Sequence, residues 1–385
     1  MLAAVVAGLV VASGRLNNKT TAGTPTTLRR ETTTTAKPVP PPAVTASLVG
    51  WALPVPISQA LVLPAAPASL LVVGGETANG QTASGAFLVS TASGSLHLDA
   101  ALSTGVRAAA GAVVGNEVLV FGGANRLPVG TIQAFTAPGV PVPPATTKPV
   151  PTKSVPTKSV PTTTARAKTA AVTAASASTT GNLPGARAGA VAVTFDGRAY
   201  VVGGSNGAAP DASVISTTNG VSLQAVGTLP VAVRFPAAAV LGDKLYVFGG
   251  ETLVAGKWSR TNDIQEMDLA NGHAAVIGHL PKAVTGAVAV DLGGNLYIAG
   301  GLGTGAANGT VWGFEPQAGA VVAQATLATP VAYTGAAVLG DKAWFVGGQT
   351  NGGKLVGSVQ TLQLAPPTPT TAPVSHHHAG TKAGR

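Results

Sequence analysis

Six apolar runs ending in Gly-Gly recur along the chain, at Gly74-Gly75, Gly122-Gly123, Gly203-Gly204, Gly249-Gly250, Gly300-Gly301 and Gly347-Gly348. Successive second glycines are 48, 81, 46, 51 and 47 residues apart. Subtracting one 48-residue step from the 81 leaves 33 residues, and the low-complexity stretch 138–169 accounts for 32 of them as an insert. A period of this length built on short strands is the mark of a radial array of four-stranded sheets, a β-propeller. Six pairs predict six blades.

Each repeat divides into four strands. In the fourth, Phe235–Leu241 is an apolar run, Gly242-Asp243 a tight turn, and Lys244–Phe248 the strand that ends at the glycine pair. Asp263–Asp268 then alternates with period two, Asn271-Gly272 signals a hairpin, and His273–His279 completes the blade. First strands such as Ala108–Val114, Ala188–Val193, Gly286–Val290 and Gly335–Val338 are built from small residues, which suits the crowded axis of a propeller. The sixth repeat runs from its third strand, Gln360–Leu364, straight into a proline-rich tail. Residues 47–54, Ser-Leu-Val-Gly-Trp-Ala-Leu-Pro, match the end of the fourth repeat, Ala275–Pro281. Residues 46–53 are therefore expected beside residues 356–363, closing the ring and removing its open edges.

The formal charge of +9 is unevenly placed. Residues 1–44, the insert and the tail hold 12 basic residues and 1 acidic, which leaves 11 basic and 13 acidic in the repeats. A folded basic face of the kind that binds nucleic acid is not predicted. With no cysteine, disulfides, thiolate chemistry and zinc-thiolate sites are excluded. Leu2–Ala12 is an apolar run too short to span a bilayer, and it reads as a partial signal or anchor segment over residues 1–13, implying an extracellular or cell-envelope location. Residues 14–44 read as a disordered Thr/Pro-rich stalk, 138–169 as an extended insert within blade two, and 365–385 as a disordered tail. The propeller is expected over 45–364.

The apolar strand, the Gly-Gly pair and the strand hairpin after it resemble the kelch repeat over residues 46–364 apart from the insert. Kelch blades carry a Tyr in the third strand and a Trp in the fourth. This chain departs from that pattern, with Met267 or Phe314 at the Tyr position and small aliphatics at the Trp position. The resemblance implies an all-β, six-bladed kelch-like β-propeller, closed here by an N-terminal strand and accompanied by disordered Thr/Pro-rich segments. It also implies that the loops joining second to third strands, and fourth to next first strands, form the binding face.

On that face Arg107, Arg187 and Arg234 lie 15, 16 and 15 residues before the first glycines of their pairs, and repeat symmetry converges them on the axial mouth. Tyr333 belongs to the corresponding stretch of blade six, and Arg126, Trp258, Arg260, Glu76, Glu251 and Gln349 stand on the second-to-third-strand loops. Arginines in a concave mouth fork onto carboxylates or phosphates; alternatively they pair with Glu76 or Glu251 and tie blades together. No catalytic constellation or cofactor site assembles. His376–His378 lie in the tail, His97, His273 and His279 fall on outer strands, and a metal site is not expected. A six-bladed kelch relative epimerises sialic acid with acidic and basic mouth residues, so a secreted sugar-processing enzyme is the alternative to a monomeric module that binds a protein or glycan, an anionic one included. The basic stalks are expected to hold the chain against cell-wall polymers.

Overall fold

A computed structural model describes residues 41–66, 68–136 and 175–365. They form six antiparallel blades of four strands each, with the two-residue strand Ala175–Ser176 added in parallel at the outer edge of blade one, and contain no α-helix, only a short 3-10 turn at Asn351–Gly353. Blade one is Leu61–Ala65, Ser69–Val73, Gly85–Ser90 and Leu96–Ala101. Blade two is Ala110–Val114, Glu117–Phe121, Thr131–Thr136 and Ser178–Asn182, so the expected insert falls between its third and fourth strands, outside the described residues. Blade three is Val191–Phe195, Arg198–Val202, Ser213–Thr217 and Gln224–Thr228, and blade four is Ala237–Leu241, Lys244–Phe248, Asp263–Asp268 and Ala274–His279. Blade five is Thr285–Asp291, Leu296–Leu302, Thr310–Glu315 and Ala320–Thr326. Blade six takes Gly335–Leu339, Lys342–Val346 and Ser358–Leu364 from the end of the propeller and Val44–Ala52 from its beginning.

The closing strand pairs antiparallel with Ser358–Leu364, running from Val44 opposite Leu364 to Ala52 opposite Ser358, with a bulge after Leu48. It begins two residues earlier than expected. Its lead-in reaches blade five as well, where Tyr297 donates its hydroxyl to the Pro42 carbonyl at 2.8 Å and Gln324 donates its amide to the Pro41 carbonyl at 2.8 Å. Burial pushes the Tyr297 hydroxyl up to about 12.

There is no single core. Six buried clusters lie one between each pair of neighbouring blades, because a blade is apolar on both faces. Alternation along a second strand distributes its side chains: Leu245 and Val247 face blade three, while Tyr246 and Phe248 face blade five. Met267 and Phe314 do occupy matching buried positions on third strands.

The doubled glycines join the blades. The second glycine of each pair donates its N–H to a carbonyl at the entrance of the next blade, Val106, Arg187, Val233, Val284, Val331 or Ile57 in turn, at 2.7–2.9 Å. Both glycines are left-handed, the first with φ of 57–70° and the second with φ of 92–110°, a region only glycine occupies freely. A Cβ on the first glycine would sit against that same carbonyl oxygen.

Even-numbered blades add a side-chain latch. Gln133, Gln265 and Gln360, all buried, each bond both the N–H and the C=O side of the connection entering their blade: Gln265 accepts from Val231 N at 2.8 Å and donates to Val231 O at 3.1 Å. Gln360 does the same with Thr329, and Gln133 with Thr104. The odd-numbered blades hold Phe87, Ile215 and Trp312 there.

Deleting residues 44–52 exposes the third strand of blade six and removes Val44 from an interblade core, so the single cooperative thermal transition is expected to disappear. An unchanged melting midpoint refutes the closure. Gln265→Ala leaves the half-buried Val231 amide and carbonyl without their partner and is expected to cost about 1–3 kcal/mol in chemical denaturation. A loss below about 0.5 kcal/mol would show that water replaces the latch.

Candidate functional site

Just inside the loop face, one residue from each blade adopts a left-handed conformation: Gln59, Ala108, Gly189, Phe235, Gly286 and Tyr333, with φ between 51° and 68°. Each donates its N–H to the carbonyl of the preceding member, at 2.6–3.0 Å, and Gln59 donates to Tyr333, so six backbone hydrogen bonds close a collar around the axis. Below it lies a cavity of about 230 Å³ lined by Ala, Val, Leu, Pro and Gly of the first strands, with no titratable side chain among its lining residues.

Two aromatic rings roof part of the mouth. Phe235 lies on Gly189 and Tyr333 on Gly286, where any Cβ would collide with the ring, and the two rings meet edge to face at 5.2 Å. Beside Phe235 the hairpin Glu251–Val254 and Lys257–Arg260 of blade four stands up from the face and brings Trp258 over Arg234. The Arg234 guanidinium stacks 3.6 Å from the Trp258 ring centre and bonds the Glu251 carboxylate at 2.8–2.9 Å through Nη2 and Nε. Burial holds the Tyr333 hydroxyl above its ordinary value, Glu251 adds to the shift, and Arg260 and Arg234 oppose it.

Arg234, Glu251, Trp258 and Tyr333 thus form one corner, with Arg260 opposite Glu251 at the base of the hairpin. A second group lies at blades one and two, where Glu76 bridges Arg107 at 2.6 Å and Gln59 at 3.2 Å. Gln349 of blade six donates to Ser58 at 3.1 Å. Arg126 stands apart, exposed at the apex of a blade-two hairpin with φ 66°. Sequence reasoning missed Phe235, Gln59 and Ser58. The signal for Phe235 was present, since it and Tyr333 each precede the first glycine of their pair, Gly249 and Gly347, by 14 residues.

Arg187 does not join the mouth. It lies one residue earlier in the repeat than Arg107 and Arg234, at the position held by Val106, Val233, Val284 and Val331, and one step along an extended chain turns a side chain to the opposite side. It is buried, 3% exposed, donating to the Gly203 carbonyl at 3.2 Å and the Ser213 hydroxyl at 3.0 Å and pairing with Asp211 at 2.8 Å. Burial lowers its pKa, and Asp211 acts in the other direction. Arg107 and Arg234 are likewise paired, so the mouth presents stacked rings and neutralised charge rather than three free cations. Neither Glu76 nor Glu251 lines the cavity of about 130 Å³ at the mouth.

Among the described residues no group of His, Asp and Glu is placed to hold a metal ion, and no helix is long and apolar enough to cross a membrane. Architecture and mouth together define a six-bladed β-propeller with an aromatic and ion-paired loop face. No family model and no curated protein matches the chain. Among solved structures, one titled "Structure of YjhT" superposes with a TM-score of 0.60 over 81% of this chain and 99% of that chain, at 17% identity. At that identity the likeness is one of fold.

Arg187→Ala is expected to lower stability by about 2–3 kcal/mol, because it removes charge-assisted bonds inside the blade interface. Arg107→Ala breaks a partly exposed pair and should cost under about 1 kcal/mol. Equal losses in urea unfolding would overturn this division between wall and mouth.

Proposed function

We propose that the chain is an exported, surface-held binding module whose loop face takes a protein or glycan ligand with anionic character. The observation that carries this reading is the corner at blade four, where Trp258 and Phe235 flank Arg234 at the edge of the mouth and Tyr333 packs edge to face on Phe235. Aromatic faces supply apolar contact at low entropic cost, and an arginine held by stacking is pre-ordered to meet a carboxylate or sulfate if the ligand displaces Glu251. The kelch resemblance of the repeats agrees with a ligand on this face. In the same reading the basic Thr/Pro-rich segments hold the protein to anionic wall polymers, an attraction that salt weakens.

The test is an array of glycans and acidic peptides probed with the purified chain and with Trp258→Ala and Arg234→Ala. A ligand of this site should lose at least about tenfold in affinity in both variants, about 1.4 kcal/mol, while their melting midpoints stay near wild type. Ligands held equally well by all three proteins would place recognition elsewhere.

A further inference from the structure

The near-neutral count of the repeats conceals a separation of charge along the propeller axis. On the loop face Arg107, Arg187 and Arg234 are each paired with a carboxylate, and Asp263, 3.1 Å from the His279 ring, is a further acid there. That leaves Arg126, Lys257, Arg260, Lys282 and Lys354 there without an acidic partner among the described residues. On the opposite face, after Lys244 pairs with Asp268, the acids Glu117, Asp196, Asp243, Asp291, Glu315 and Asp341 stand unpaired against Arg198 and Lys342. The topology alone accounts for the sorting. The cations lie on second-to-third-strand loops and fourth-to-first connections, and the acids lie at first-to-second and third-to-fourth turns.

The cationic face also carries three of the four most exposed large apolar side chains among the described residues: Leu127 at 75%, Val254 at 57% and Val55 at 56%. Two of them sit at hairpin tips next to a cation. Leu127 pairs with Asn125 across Arg126, the left-handed apex. Val254 pairs with Lys257 across the turn Ala255-Gly256, whose φ values of 50° and 74° form the tight hairpin turn. Val55 lies in the connection from the closing strand into blade one.

Apolar tips with cations beside them, on separate loops of one face, match poorly with a soluble polyanion, which offers nothing to bury the aliphatic part. They match an interface that presents anionic headgroups outside and hydrocarbon beneath. We propose that the loop face docks on an anionic phospholipid bilayer, with Val55, Leu127 and Val254 entering the headgroup layer and the rim cations lying among the phosphates. The acidic face is repelled by the same surface and points away, so the two ends fix the orientation. This contact uses the tip of the blade-four hairpin, Val254 and Lys257, and leaves to the mouth the packing of Trp258 on Arg234 one step below it on the same hairpin.

The test is co-sedimentation of the full chain with vesicles of phosphatidylcholine plus phosphatidylglycerol, against vesicles of phosphatidylcholine alone. Binding is expected only to the anionic vesicles and should fall between about 0.1 M and 1 M salt, as the screening length drops from roughly 10 to 3 Å. Replacing Arg126 and Lys257 together by Gln should weaken partition roughly thirtyfold, at about 1 kcal/mol per cation near the surface. Leu127→Ser with Val254→Ser should weaken it at least about tenfold on vesicles yet leave binding to polyglutamate unchanged, and an unchanged melting midpoint verifies the fold. The basic segments outside the repeats are common to all variants and cannot produce these differences. Vesicle binding indifferent to either double variant overturns the proposal, and an equal loss on polyglutamate would assign the face to an acidic polymer or protein instead. Trp258→Ala is expected to bind vesicles normally, so failure of the mouth reading and failure of this one remain distinguishable.

Discussion

The blades are joined through one repeated backbone contact, in which the N–H of a second glycine reaches the carbonyl at the entrance of the next blade. The chains approach so closely there that the preceding glycine has no room for a Cβ, and both residues need positive φ. The contact recurs at all six junctions, including that between Gly348 of blade six and Ile57 of blade one, so the ring closes on itself without a weak seam. Each blade buries apolar residues on both faces against its neighbours, which leaves a single blade with nothing to pack against and makes the array one cooperative body.

The collar at the mouth depends on the same spacing. Once the entrance carbonyl is held, the chain must turn sharply inward, and the left-handed residues from Gln59 to Tyr333 accomplish that turn while bonding one another. Where a collar residue is glycine, the aromatic ring of the next blade settles on it, as Phe235 does on Gly189 and Tyr333 on Gly286. A backbone requirement thereby creates the concentrated aromatic surface of the loop face. The polar groups around it are mutually satisfied, through Arg107 with Glu76, Arg234 with Glu251 and Gln349 with Ser58. What remains unpaired is displaced outward to the hairpin tips and connections, where solvent bears the cost of isolated charge.

Much of the fold was legible locally. The glycine pairs numbered the blades, Gly272 of the Asn271-Gly272 signal takes the left-handed conformation in the turn between the last two strands of blade four, and the match between residues 47–54 and Ala275–Pro281 located the closing strand within two residues. The site was legible in part. Arg234, Glu251, Trp258 and Tyr333 do share a corner, whereas Arg187 was misplaced because its 16-residue offset differs by a single step from the 15 of Arg107 and Arg234. That step is enough to turn a mouth residue into a wall residue. The glutamine latches were unreadable, since a Gln in an apolar strand acquires its meaning only from the connection it grips.

The sequence by itself determined the number of blades, the segmentation into short strands, the permuted closure and the small-residue lining of the axis, because each follows from backbone conformations and side-chain periods that are local properties. The tertiary structure decided which carboxylate meets which arginine, which rings cover the mouth, and that a nearly balanced set of charges is sorted into a cationic and an acidic end. Those outcomes depend on which residues ring closure brings together from different blades, and no local pattern records a partner tens of residues away.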